Sequence, residues 1–323
     1  MCSLLLLKSK SILCNPANHW FMIVSAFTYV RNGFTYAYPF VESIRSLLPI
    51  VDEYIVVIGA GNDGTREAVI ALNDAKIKIV DTVWDEALRS GGKVFAQQAN
   101  IGMDHCRKDA DWLFHLQADE VVHEKDLPVL QKAMQQNIGN RSIDGLLLPF
   151  IHFYGDYNHY CPSRRFHKYE IRIVKNNSAI RSYKDSMGFR LYQNPQNQDS
   201  EKGTKLRVVK VPVPIYHYSW ARPPKKMTAK RIEFHKKYTD SDAFIADVQQ
   251  KEAEGYSYRE YDYLKPFTGT HPAVMKAVVA AQDWTFVYDP NKNNMSVKEK
   301  LMKTVEELTG RQFFTYKNYK IVG

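Results

Sequence analysis

The sequence predicts an α/β protein, with a mostly parallel sheet flanked by helices. Three observations carry this. From residue 22 to about 140, short apolar runs alternate with stretches of helical spacing. The apolar runs are nearly continuous, as in strands buried on both faces. Several end in polar, turn-forming loops, which lie where the carboxyl ends of parallel strands gather ligands.

Residues 22–30 read as the first strand. Residues 38–48 follow as a helix, with Phe40, Val41, Ile44, Leu47 and Leu48 at helical spacing. Residues 53–58 form a second buried strand. It ends in Gly59-Ala60-Gly61-Asn62-Asp63-Gly64-Thr65, a loop that opens into a helix over 66–72. A third strand covers 76–83 and a helix 92–106. The fourth strand, 111–117, ends abruptly in two carboxylates, Asp119 and Glu120, ahead of a helix over 127–136. After about residue 143 the rhythm changes. Strands are expected over 143–153, 170–174 and 206–218, with irregular connections, and 194–204 reads as a mobile polar loop. Beyond Arg222 the chain is basic and helical, over 225–238, 272–282 and 296–308.

The 323 residues suffice for one large domain plus an extension. Residues 1–21 read as a poorly ordered extension, 22–220 as the main domain, and 221–323 as a basic, mainly helical extension. The leucine run at 4–7 is too short to span a membrane, no small-residue cleavage site clearly follows it, and Met22 reads as the natural start. A 45% hydrophobic and 24% charged composition is that of a soluble globular protein. The net charge of +9 calls for an anionic partner. Cys2, Cys14, Cys106 and Cys161 include no C-x-x-C pair, so neither a zinc site nor a disulfide framework is indicated and a reducing cytoplasm fits.

Carboxylates at a strand end can hold a hard divalent cation, and the cation a phosphate; the plain alternative is that Asp119 and Glu120 start the next loop. The order of motifs weighs on this choice. Phe27-Thr28-Tyr29-Val30-Arg31-Asn32-Gly33 comes first, then residues 52–58 with Asn62-Asp63-Gly64-Thr65, then Gln117-Ala118-Asp119-Glu120. This ordered set resembles the family 2 glycosyltransferases, which have the GT-A fold, over roughly residues 22–220. The resemblance implies a Rossmann-like GT-A domain that transfers a sugar, with inversion, from a nucleoside diphosphate donor of UDP or GDP type. The acceptor it implies is a hydroxyl on a glycan or glycolipid, in surface polysaccharide or lipopolysaccharide synthesis. It also implies Mn²⁺ or Mg²⁺ as cofactor, held by Asp119. Gln117 stands where the family's D-x-D motif has its first acid, and a neutral amide is a poorer cation ligand; the alternative is that Gln117 contacts the sugar or ribose and the metal is weak or absent.

By the same resemblance His217, at the end of an apolar run, completes the metal shell; the alternative is a packed histidine. Asp63 reads either as a helix N-terminal acid or as a nucleotide contact, and Asn32 lies in the first turn of the same edge. Arg89 and Lys93, set among glycines, read as diphosphate contacts or as a plain basic helix start, and Asp85 lies at a similar edge. Inverting transfer needs a base beyond the Asp119 strand. Asp156, Glu170 and Asp185 are the candidates, with Asp185 preferred and Glu170 second. The basic stretch from Arg222 to Lys237 reads as a flap over the diphosphate, a helix on an anionic inner-membrane surface, or a solvated face.

A nucleotidylyltransferase would carry a Gly-rich basic loop after the first strand, where only Arg31-Asn32-Gly33 stands. A nucleic-acid-binding protein is motivated by the charge alone, since no recognised motif is present. A non-catalytic sugar-binding module is motivated by Gln117.

Overall fold

The computed structural model describes residues 22–322 apart from 89, 239–241, 252, 254, 260, 292 and 311, so the expected extension over 1–21 lies outside the described residues. The first half alternates as expected: β1 (Val24–Val30), α1 (Phe40–Leu47), β2 (Glu53–Gly59), α2 (Thr65–Ile70), β3 (Ile77–Thr82), α3 (Lys93–His105) and β4 (Trp112–His115). β4 stops two residues short of the expected end, and after a tight turn β5 (Glu120–Val122) leads to α4 (Leu127–Asn137).

β2, β1 and β4 lie side by side and parallel, with β3 outside β2. The chain therefore goes outward from β1 on one side and then crosses to β4 on the other. That reversal opens a crevice at the carboxyl ends of β1 and β4. Side chains alternate between the two faces. Ala26, Val56 and Phe114 pack with Ile44 of α1 on one face. Phe27, Ile55 and Leu113 pack with Ala99 and Met103 of α3 on the other. α3 comes close because it carries Gly102, where an added Cβ would stand 2.9 Å from the Phe27 ring.

The second half is β6 (Gly145–Tyr154), β7 (His159–Tyr160), β8 (Tyr169–Lys175), β9 (Ile180–Ser182), β10 (Phe189–Leu191), β11 (Thr204–Lys210) and β12 (Ile215–Trp220). β8 runs antiparallel between β4 and β6 and extends the central sheet. The single run expected over 206–218 is two strands. Pro212 and Pro214 have no N–H to give a ladder, and the chain shifts along β6 there. β11 pairs with its first residues (Val208 opposite Gly145) and β12 with its later ones (Ile215 opposite Phe150).

The last part holds α5 (Pro224–Lys236), α6 (Asp242–Lys251), β13 (Lys265–Pro266), α7 (Lys276–Ala280), α8 (Val297–Thr309) and β14 (Tyr319–Ile321). α6 was not expected. α8 starts on a capping box, Ser296 with Glu299, and ends on Gly310 in the left-handed conformation. β14 joins the central sheet beside β11, so this segment is tied into the main sheet. Among the described residues no helix is long and apolar enough to cross a membrane.

Candidate active site

Two cavities open at the carboxyl edge of the parallel strands, on either side of the Arg31-Asn32 turn. One, about 590 Å³, is lined by the loops after β1, β2 and β3, including Asn32, Asp63 and Thr82. The other, about 350 Å³, is lined among others by Gln117, Asp119, Asp185, His217 and Lys230. Segments more than 100 residues apart in sequence meet there.

Asp119 stands in the turn between β4 and β5. β5 pairs antiparallel with β12, His217 opposite Glu120, and the Asp119 carbonyl accepts from the Tyr218 N–H at 2.8 Å. This register puts the Asp119 and His217 side chains together. The Lys230 ammonium of α5 donates to Asp119 Oδ2 at 3.3 Å and to Ser219 Oγ at 2.6 Å. The Arg222 guanidinium is 3.8 Å from the same carboxylate oxygen. Burial disfavours the charge on Asp119, but the positive charges beside it, Lys230 foremost, outweigh it and hold the carboxyl well below its usual range. Burial, followed by the Arg222 charge, pushes the Lys230 ammonium down to about 7.

A chain of imidazoles orients His217. Burial holds His152 down at about 3, so it is neutral. Its Nε2 is 2.7 Å from the His167 carbonyl, which can only accept, so Nε2 carries the proton. His152 Nδ1 is then an acceptor, and His217 Nδ1–H donates to it at 2.7 Å. In the neutral ring His217 Nε2 is thereby left bare, 3.6 Å from Asp119 Oδ1. That is too long for a hydrogen bond, and two acceptors facing each other want a cation between them. The pair fits a divalent ion of the Mn²⁺ or Mg²⁺ kind. Among the described residues no group of three or more His, Cys, Asp or Glu assembles as a metal site, so the remaining ligands would be phosphate oxygens and water.

Glu120 has a different part. Arg172 donates to it twice, Nε to Oε2 at 2.8 Å and Nη2 to Oε1 at 2.6 Å, and both side chains are almost fully buried. Oε2 also accepts from the Gln117 N–H at 3.1 Å, which closes the turn that presents Asp119. Gln117 itself lines the cavity.

Asp185 lies in the loop between β9 and β10, between two non-glycine residues in the left-handed region, Lys184 (φ 54) and Ser186 (φ 62). Strain of that kind concentrates at functional sites. Tyr238 donates to Asp185 Oδ2 at 2.6 Å, while Oδ1 is buried with no hydrogen-bond partner. Gly92, at φ 70, allows the approach: an added Cβ would stand 2.8 Å from both Asp185 Cβ and the Tyr238 hydroxyl. Glu170 is buried at the edge of the same cavity, and burial pushes its carboxyl up to about 7.

The other sequence candidates divide. Asp63 lines the nucleoside-sized cavity, but its oxygens hold the loops, accepting from Thr65 Oγ1 at 2.5 Å and the Thr35 N–H at 2.8 Å. Asn32 Oδ1 is buried there without a partner. Lys93 points away to Asp199 at 2.8 Å. Arg89 lies outside the described residues. Asp85 caps its own turn through the Ala87 N–H, and Asp156 is taken by Asn158 and His159. Lys230, His152, Arg172 and Tyr238 were not singled out from the sequence. For Lys230 a signal exists: Met227, Lys230, Phe234 and Lys237 fall on one face of α5.

No protein-family model matches the chain, and no curated protein sequence matches it. Solved structures similar to it include TarS of S. aureus, at 11% identity and a TM-score of 0.38, over 71% of this chain and 42% of that one. A mannosyltransferase of Pyrobaculum calidifontis, in complex with GDP-Man and Mn²⁺, is 15% identical with a TM-score of 0.38, over 80% of this chain and 68% of that one. A 4-diphosphocytidyl-2C-methyl-D-erythritol synthase of Anaerococcus prevotii is 11% identical with a TM-score of 0.37, over 71% and 96%. The chain spans less than half of the TarS structure. At these scores the likenesses carry no argument about activity, which rests on the site.

Proposed function

We propose that the protein is a glycosyltransferase of GT-A type that uses a nucleoside diphosphate sugar and inverts the anomeric centre. The observation that carries this is one cavity lined by a carboxylate–imidazole pair, a lysine that donates to that carboxylate, and a second carboxylate with an oxygen that makes no hydrogen bond. The nucleoside belongs in the neighbouring cavity, where Asn32 Oδ1 can accept from a base N–H.

Asp185 is the base. Its Oδ1 takes the proton of the acceptor hydroxyl as that oxygen attacks the anomeric carbon. The bond from that carbon to the diphosphate oxygen breaks, and its electron pair leaves with the nucleoside diphosphate. Tyr238 holds Asp185 Oδ2 and so fixes the direction of Oδ1. Lys230 lines the cavity and would meet the charge that develops on the diphosphate, while Arg222, buried behind Asp119, supports that carboxylate. A divalent cation held by Asp119 and His217 would add Lewis-acid stabilisation of the leaving group. Glu170, buried and raised, is the second candidate for the base.

Thermal-shift measurements with UDP, GDP and CDP, each with and without Mn²⁺, test the reading. One nucleotide should stabilise the protein and Mn²⁺ should add to the shift. Stabilisation by none of them in either condition would sink the proposal.

A further inference from the structure

A third cavity, about 730 Å³, adjoins the site and shares His167, Glu170 and Met187 with it. Its wall is the connection before β8 and the segment between α8 and β14. The charges there are nearly all positive. Arg164 and Arg165 are paired with Glu306 and Asp262. Lys168, Lys210 and Lys317 are exposed and make no ion pair among the described residues. Among the described residues the only acid in the lining is Glu170, which burial keeps largely protonated below about 7.

The same groove displays aromatic rings. Phe314 is 95% exposed and Tyr316 67%. Phe314 adopts the left-handed conformation (φ 57), which is uncommon for a bulky residue. Arg190 fixes the Tyr316 hydroxyl at 2.6 Å, and the Lys205 ammonium lies 5.0 Å from that ring. Lys168 and Lys210 lie 5.9 and 4.6 Å from the Tyr169 ring, and a wall of rings and ammonium groups suits a ligand with both apolar faces and negative charges.

We propose that this groove binds the acceptor, and that the acceptor is an acidic saccharide. Its sugar faces rest on Phe314 and Tyr316, and its carboxylates or phosphates meet Lys168, Lys210 and Lys317. The proposal rests on the transferase reading, because the groove meets the Asp185 cavity at Glu170 and Met187, where an acceptor hydroxyl has to enter. That placement favours a glycan over a nucleic acid or a membrane surface.

Calorimetric titration of the full chain with a galacturonate hexamer and with a neutral maltohexaose tests it. The acidic hexamer should bind about tenfold or more tightly than the neutral one, and the difference should shrink with added salt. A Lys210→Ser/Lys317→Ser variant should lose about tenfold for the acidic hexamer and keep its thermal shift with nucleotide. Equal binding of the two hexamers, binding of neither, or unchanged binding by the variant would overturn the proposal. So would a preference for oligo(dT) or anionic phospholipid vesicles over the hexamer. Binding of the hexamer through these lysines with no response to any nucleoside diphosphate would retain a saccharide site and remove its role as acceptor site. A nucleotide response without hexamer binding would sink the groove alone.

Discussion

Asp119 and Glu120 leave the same strand end for two different environments. Glu120 turns inward, and one guanidinium in the core donates to both of its oxygens. Asp119 turns toward the cavity, where one oxygen is shared by two cations and the other faces a bare imidazole nitrogen. The inner carboxylate is fully buried and does not line the cavity. The outer one holds its charge yet keeps a face for an incoming partner. Adjacent acids thus divide the work: Glu120 shapes the turn, and Asp119 uses it. Asp185 repeats the outer pattern, with one oxygen held by Tyr238 and one free.

The widest separation between the two kinds of carboxylate should come from Asp185→Asn. Transfer should fall by about 10²–10⁴-fold, because the proton acceptor is gone, while the thermal shift with nucleotide stays. Retained transfer would pass the role to Glu170. Glu120→Gln tests the inner pattern. It leaves the Arg172 charge buried and unpaired, a cost of about 3–5 kcal/mol, to be read in denaturant unfolding. A loss below about 1 kcal/mol would show that the pair is not structural.

Glu170 gives a pH test. Its folded value, about 7, lies above the unfolded 4.5, so the folded protein binds the extra proton between those values. Stability should therefore fall as pH rises through that window, by about 3 kcal/mol in all, and level off above it. Glu170→Gln should remove that contribution to the pH profile of unfolding, and an unchanged profile would refute the assignment. The smallest effect is expected from His152→Leu, which removes the group that fixes the His217 tautomer. Mn²⁺ affinity, measured by titration without donor, should weaken by about 10–100-fold.

Much of the first half was legible because its strands are buried on both faces, as at residues 53–58, and its loops carry turn residues. β5, β9, β10 and β14 have three residues each and leave no periodicity to read. The turn at Pro212 and Pro214 hid inside an apolar run. Asp119 was visible as a carboxylate at a strand end, whereas His217, which lies inside β12, and Asp185, in a loop, were reached through the family resemblance. Lys230 was not, because in a basic stretch one lysine resembles the next, and only the docking of α5 selects it. His152 was hidden within a strand, since its role depends on the register that sets it opposite His217. Lys93 shows the reverse: a cation at the right edge in sequence turns out to face Asp199.

One helix carries both the charge and the latch of the cavity. Lys230 sits on α5, and at the end of the same helix Lys237 reaches Glu86 at 2.5 Å, a carboxylate also held by Arg31 at 2.6 Å. Swinging α5 outward would break that latch and take the Lys230 ammonium with it. If the protein transfers a sugar as proposed, the charge that holds the leaving diphosphate and the latch on α5 would be lost together, so that opening would itself favour release.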